Sequence, residues 1–115
     1  MNRVEIFESE LKLMNKIWLD GSIKAIDLSR YATEQFGWKK NTTYSILRPM
    51  LAKGIVIRQD PGFVLVPMVT KEQVIAWELQ SVADKLFGGN VNLLINSSAF
   101  KDFVNVRTGK DTYGA

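Results

Sequence analysis

The sequence predicts a mainly α protein with one small antiparallel β-hairpin, and three observations carry that expectation. Apolar residues recur at helical spacing in four segments, and a glycine stands at the end of each. Between Trp38 and Pro67 a basic turn enters a helix, Gly54 ends it, and two strands rich in Val and Ile follow around Pro61-Gly62. Beyond Pro67 another apolar stripe continues, longer than a small domain needs for its own core.

The first helix is expected from about Glu10 to Leu19. Ser9 is its N-cap in this reading, and Glu10 lies at the end where the helix dipole favours an acid. Leu11, Met14, Ile17 and Trp18 make its apolar face, and Gly21 follows as the stop. Ser22-Ile23-Lys24 reads as a short strand able to pair with the hairpin. A second helix runs from Ala25 to Phe36, with Ile26, Leu28 or Ser29, Ala32 and Phe36 inward and Gly37 after it. Trp38 is expected to plug the junction to the third helix as a core residue.

The third helix spans Lys40 to Lys53. Thr43, Ile46, Leu47, Met50 and Leu51 form its apolar stripe, and Thr43 is expected to be buried. The opposite face carries Asn41, Thr42, Tyr44, Ser45 and Arg48. Ile55–Asp60 and Phe63–Pro67 complete the hairpin. Two helices joined by a tight turn, the second one basic and followed by a hairpin, make a winged helix-turn-helix.

Thr70 caps the fourth helix, and Gln73 stands three residues later, the spacing of a capping box. Val74, Ile75, Leu79, Val82, Ala83, Leu86 and Phe87 form a long stripe that ends at Gly88-Gly89. The wing already closes the first core, so Val74, Ile75, Leu79, Val82, Leu86 and Phe87 are assigned to contact with a second copy of the chain, the alternative being a helix folded back on its own domain. A fifth short helix starts at Val91–Ile95 and extends toward Phe103. The expected organisation is a winged-helix domain over 1–69, a helical dimerisation region over 70–104 and a flexible tail over 105–115.

Composition narrows the function. There is no histidine and no cysteine. The commonest general base, the thiolate nucleophile and the usual zinc ligands are all missing. The acids are scattered on helix starts and solvent faces, and no Gly-rich phosphate loop or metal-ligand spacing is present. Neither an enzyme nor a cofactor is expected. The charged segment MNRVEIFESE is unlike a signal peptide, and no stretch approaches the roughly 20 apolar residues of a membrane helix. A soluble, cytoplasmic protein without membrane insertion is the expectation.

Charge points to the ligand. Residues 1–37 sum to −1, residues 38–60 to +4 and residues 61–115 to zero. The excess is carried by Lys39, Lys40, Arg48, Lys53 and Arg58 against Asp60. Clustering of this kind suits the DNA backbone. The major groove of B-DNA admits one α-helix, and the second helix of a helix-turn-helix meets the base edges. Asn41 can pair bidentately with adenine, the Thr42 methyl can touch thymine, and the Tyr44 and Ser45 hydroxyls serve bases or phosphates. Lys39 and Lys40 at the helix start, and Arg58 with Gln59 on the wing, suit phosphates, helped by the helix N-terminus, while Arg48 belongs with the reading face of the helix. The rival reading is a winged helix used for protein–protein contact without DNA, and the basic entry to the helix argues against it.

Three pieces in order, ESELKLMNKIW followed by GS, WKKNTTYSILRPMLAKG, and TKEQV followed by LFGG, resemble the penicillinase-repressor family of bacterial transcription factors (the BlaI/MecI type). The resemblance runs from about Phe7 to Ile95. It implies a homodimer with an N-terminal winged helix and interlocked C-terminal helices. It also implies repression of β-lactam-resistance or related genes at palindromic operators, with an upstream membrane sensor protease that triggers cleavage in the dimerisation region.

The sequence departs from that family in three places. Pro49 stands where relatives typically carry a basic residue, which removes one phosphate contact. Proline also lacks the N–H that would bond the Ser45 carbonyl, so a kink is expected. The antibiotic-sensing relatives are cut at an Asn-Phe bond, whereas the comparable stretch here reads Leu94-Ile95-Asn96-Ser97-Ser98. The final acidic helix of the relatives is replaced by NVRTGKDTYGA. Copper-responsive members use a C-terminal cysteine cluster, which a chain without cysteine cannot form.

Overall fold

Helix and strand follow one another as α1 Glu8–Asp20, β1 Ile23–Lys24, α2 Ala25–Phe36, α3 Lys40–Lys53, β2 Val56–Gln59, β3 Val64–Pro67, α4 Lys71–Leu86, α5 Val91–Ile95 and α6 Ser98–Thr108. They are seen in a computed structural model that describes residues 3–108. The chain divides into two compact units, residues 1–74 and 75–115, and the division falls inside α4.

The first unit is a three-helix core closed by a three-stranded antiparallel sheet in the order β1-β3-β2. β3 is the centre. Leu65 pairs with Ile23 on one side and Arg58 on the other, and Val64 pairs with Lys24 and Gln59. The short β1 thus joins the wing, as the Ser22-Ile23-Lys24 reading anticipated. Leu13, Met14, Ile17, Leu28, Leu47, Met50, Ile55 and Leu65 are fully buried at the centre. Burial of each such side chain is worth roughly 1.5–3 kcal/mol. Two backbone bonds tie the sheet to its surroundings. Ala25 N–H donates to the Phe63 carbonyl at 2.9 Å, and Met68 N–H to the Ile55 carbonyl at 2.9 Å. The Trp18 indole N–H donates to the Val69 carbonyl at 2.9 Å.

The start of α1 differs from the sequence reading. The N-cap is Phe7, not Ser9, because the Glu10 carboxylate accepts the Phe7 backbone N–H at 2.8 Å. Leu13 and Glu10 are buried, and Leu11 and Trp18 only partly. Burial of Glu10 depends on a distant partner. Lys53, at the end of α3, donates to Glu10 Oε1 at 2.6 Å and to the Glu5 carbonyl at 2.9 Å. The ammonium also lies 4.4 Å from the Phe7 ring centroid. An uncompensated buried carboxylate would be destabilising, so this pair lets α1 and α3 approach.

Trp38 is half-buried and not a core plug. Its ring packs on Phe36 at 5.0 Å, Lys12 lies over both rings, and its carbonyl accepts from the Thr33 hydroxyl at 2.6 Å. Ile26, Ile46, Leu51 and Phe36 are likewise only partly buried, while Leu28, Ser29 and Ala32 together form the inward row of α2. α3 keeps its full span through Pro49, which lies on the exposed side. Gly54 ends it at φ +77°, donating to the Met50 and Leu51 carbonyls.

The capping box at α4 forms. Thr70 N–H donates to Gln73 Oε1 at 2.8 Å, and Gln73 N–H donates to Thr70 Oγ1 at 3.0 Å. In the second unit, Ala83 and Leu94 are buried. The expected single fifth helix is two helices. α5 starts after its N-cap Asn90, whose side chain accepts from Leu93 N–H. α6 starts after Ser97, whose hydroxyl accepts from Phe100 N–H at 3.1 Å and donates to the Leu94 carbonyl at 2.8 Å. That serine gives each neighbouring backbone group a partner and so turns the chain from one helix into the next. Residues 105–108 of the expected flexible tail belong to α6, and residues 109–115 lie outside the described residues.

Candidate nucleic-acid interface

The polar face of α3 is built by the same stripe that fixes its buried face. Thr43, Leu47 and Met50 are fully buried against the first unit. Asn41, Thr42, Ser45 and Arg48 are therefore turned to solvent, and all four are exposed. Asn41, Ser45 and Arg48 follow at four- and three-residue steps, so they lie in one row along the helix. Lys39 is the N-cap residue and offers no side-chain acceptor to the first turn. Lys39 and Lys40 are exposed at the start of the helix, where the positive end of the helix dipole also attracts phosphate.

The wing stands next to this face. Arg58 and Gln59 are exposed on β2. Arg58 Nε donates to both oxygens of Asp60 at 3.1 Å. Its guanidinium lies 3.8 Å from the centroid of the Phe63 ring. Phe63 in turn meets Tyr44 of α3 edge-on at 6.0 Å, and Lys40 Nζ lies 5.8 Å from the Tyr44 centroid. The structure thus joins Lys40, Tyr44 and Arg58, all expected site residues, through a residue the sequence reading did not select. Tyr44 is half-buried by these contacts. Phe63 and Asp60 were missed because nothing in their spacing marks them. The available signal was their position flanking the Pro61-Gly62 turn. Thr43 is buried as expected, and its hydroxyl finds no partner among the described residues.

Arg58 already has a carboxylate partner, and so does Lys53, which is spent on Glu10. Lys39, Lys40 and Arg48 have no ion-pair partner among the described residues. They are the cations most open to an incoming phosphate.

The stripe assigned to a partner copy is also placed. Val74 is buried within the chain itself, so the open stripe begins one residue later. Ile75 is 49% exposed, Leu86 is 74% exposed, and Leu79 and Val82 are also exposed. Phe87 is half-buried. Among the described residues no helix is long and apolar enough to cross a membrane.

The chain matches the family model for the penicillinase repressor over residues 6–105. Among solved structures it is similar to the solution structure of the DNA-binding domain of the repressor BlaI. The TM-score is 0.57 at 24% identity, and the match covers 62% of this chain and 90% of that one. That likeness shows the winged-helix fold. No curated relative matches.

Proposed function

This chain belongs to the penicillinase repressor family of DNA-binding repressors, and from that premise we propose that it represses transcription as a homodimer at palindromic operators. Each subunit lays the N-terminal half of α3 in a major groove. Asn41, Thr42, Tyr44 and Ser45 face the base edges, and Lys39, Lys40, Arg48, Arg58 and Gln59 hold the flanking phosphates. The single observation that supports this most is the exposed row Asn41, Ser45, Arg48, which shares a helix entrance with two unpaired lysines and adjoins the wing.

Dimerisation falls to the second unit. Ile75, Leu79, Val82 and Leu86 leave an apolar stripe open on α4, and a second copy is the occupant that the family premise supplies. A cytoplasmic location follows from a DNA ligand. The regulated genes belong to β-lactam resistance or a related response, and a membrane sensor protease is the family's upstream partner. Induction by cleavage at an Asn-Phe bond is not part of the proposal. Serine stands after Asn96, and its hydroxyl is engaged in capping α6. A protease pocket shaped for an aromatic group loses roughly 1.5–3 kcal/mol of apolar burial when serine replaces it.

The test is selection of duplexes from a random pool with the full chain. Recovery of a sequence with two inverted half-sites one or more helical turns apart is the expected result. A pool that remains random after repeated rounds would remove the reading and favour a protein-contact role for the winged helix.

A further inference from the structure

Phe63 holds a conformation that its side chain does not favour. Its φ is +50°, and among the described residues no other non-glycine has a positive φ. An aromatic residue is an outlier in that region, which Gly or Asn enters readily. The backbone explains how the conformation is kept. Asp60 Oδ1 accepts the Phe63 N–H at 3.2 Å, and the Phe63 carbonyl accepts the Ala25 N–H at 2.9 Å. Neither bond requires a ring at this position, and asparagine would make both. The strain is therefore borne for what the ring touches.

The ring touches two members of the DNA-facing set. Arg58 lies over its face at 3.8 Å, and Tyr44 meets it at 6.0 Å. We propose that Phe63 is a positioning residue that couples Arg58 of the wing to Tyr44 of α3, so that wing and helix engage DNA as one unit. The proposal rests on the DNA-binding reading above. Phenylalanine has no donor or acceptor, so it reads no base and binds no phosphate itself. Its effect runs through its neighbours. A free arginine on an exposed strand samples many rotamers, and a DNA contact must order them at an entropic cost. Seated on the ring, with Asp60 gripping its Nε, Arg58 is ordered beforehand. The same ring limits where Tyr44 can turn, so a shift at either partner is felt by the other.

The experiment measures affinity of the full chain for a duplex selected by the wild-type chain, in combinations of R58A, Y44A and F63N. In the wild-type background the double variant R58A/Y44A should depart from the product of the two single losses by about threefold or more, as contacting residues do. In the F63N background the losses should simply multiply. F63N alone should weaken binding roughly three- to tenfold, the worth of one pre-ordered long side chain. Its melting temperature should stay level or rise, because the strain is relieved. F63W, which keeps a ring face for Arg58, should restore most of the affinity. Independent losses in the wild-type background would overturn the coupling. A lowered melting temperature with unchanged affinity would make Phe63 a packing residue only. If the wild-type chain selects no duplex at all, the DNA reading itself fails and takes this proposal with it.

Discussion

Single side chains on α3 divide by what they can contact. In the proposed complex Asn41 and Tyr44 reach toward base edges, whereas Lys39 and Lys40 carry charge without sequence information. Asn41→Ala or Tyr44→Ala should therefore cost about 1–3 kcal/mol on a selected duplex and little on random DNA. Lys39→Ala or Lys40→Ala should weaken both kinds of duplex alike. Titration by fluorescence anisotropy with both duplexes separates the two patterns, and unchanged affinity in all four variants would remove α3 from the interface. The exposed set was legible in the sequence because a helix that buries Thr43, Leu47 and Met50 has little choice about its other face. The pairings were not legible. Glu10 and Lys53 are 43 residues apart, and no local pattern brings them together. Phe63 escaped notice because its importance lies in ring geometry across a turn.

Helix ends show which signals the chain obeys. α2 and α3 fall on the residues expected for them, since Gly37 and Gly54 terminate them in a left-handed conformation. α1 begins earlier than expected because a carboxylate one turn inside caps the backbone of Phe7, which takes the task from Ser9. The break between α5 and α6 has neither Gly nor Pro, so helical periodicity alone ran the two together. Pro49 is the local rule broken in α3. It removes the partner of the Ser45 carbonyl on an exposed face, at up to roughly 3 kcal/mol. Pro49→Ala should accordingly raise the stability of the first unit by about 1–3 kcal/mol. Chemical denaturation measures it directly. No gain would mean that α3 accommodates the ring without losing helix geometry.

For the whole molecule, assembly is the main prediction. Ile75, Leu79, Val82 and Leu86 of α4 are exposed apolar residues among the described ones. Leu79→Asp or Val82→Asp should yield monomers, because an unpaired carboxylate would have to enter the contact. Sedimentation of the wild-type chain as a monomer at micromolar concentration would leave that prediction without a basis. The extent of a partner's cover was not readable from the sequence, where Val74 looks like the first residue of the stripe yet is buried in its own chain. The ion pairs of the first unit reach further than its stability. Five cations crowd residues 38–60, but Lys53 is neutralised by Glu10 and Arg58 by Asp60. A neutral pair displaces no net ion from the atmosphere condensed on a duplex. Arg58 then meets its phosphate with Asp60 still attached and releases no net ion, so Lys39, Lys40 and Arg48 of each subunit set the count and a dimer should release about six ions. The logarithm of its binding constant should fall with the logarithm of salt concentration at a slope of about −5, where ten active cations would give about −9.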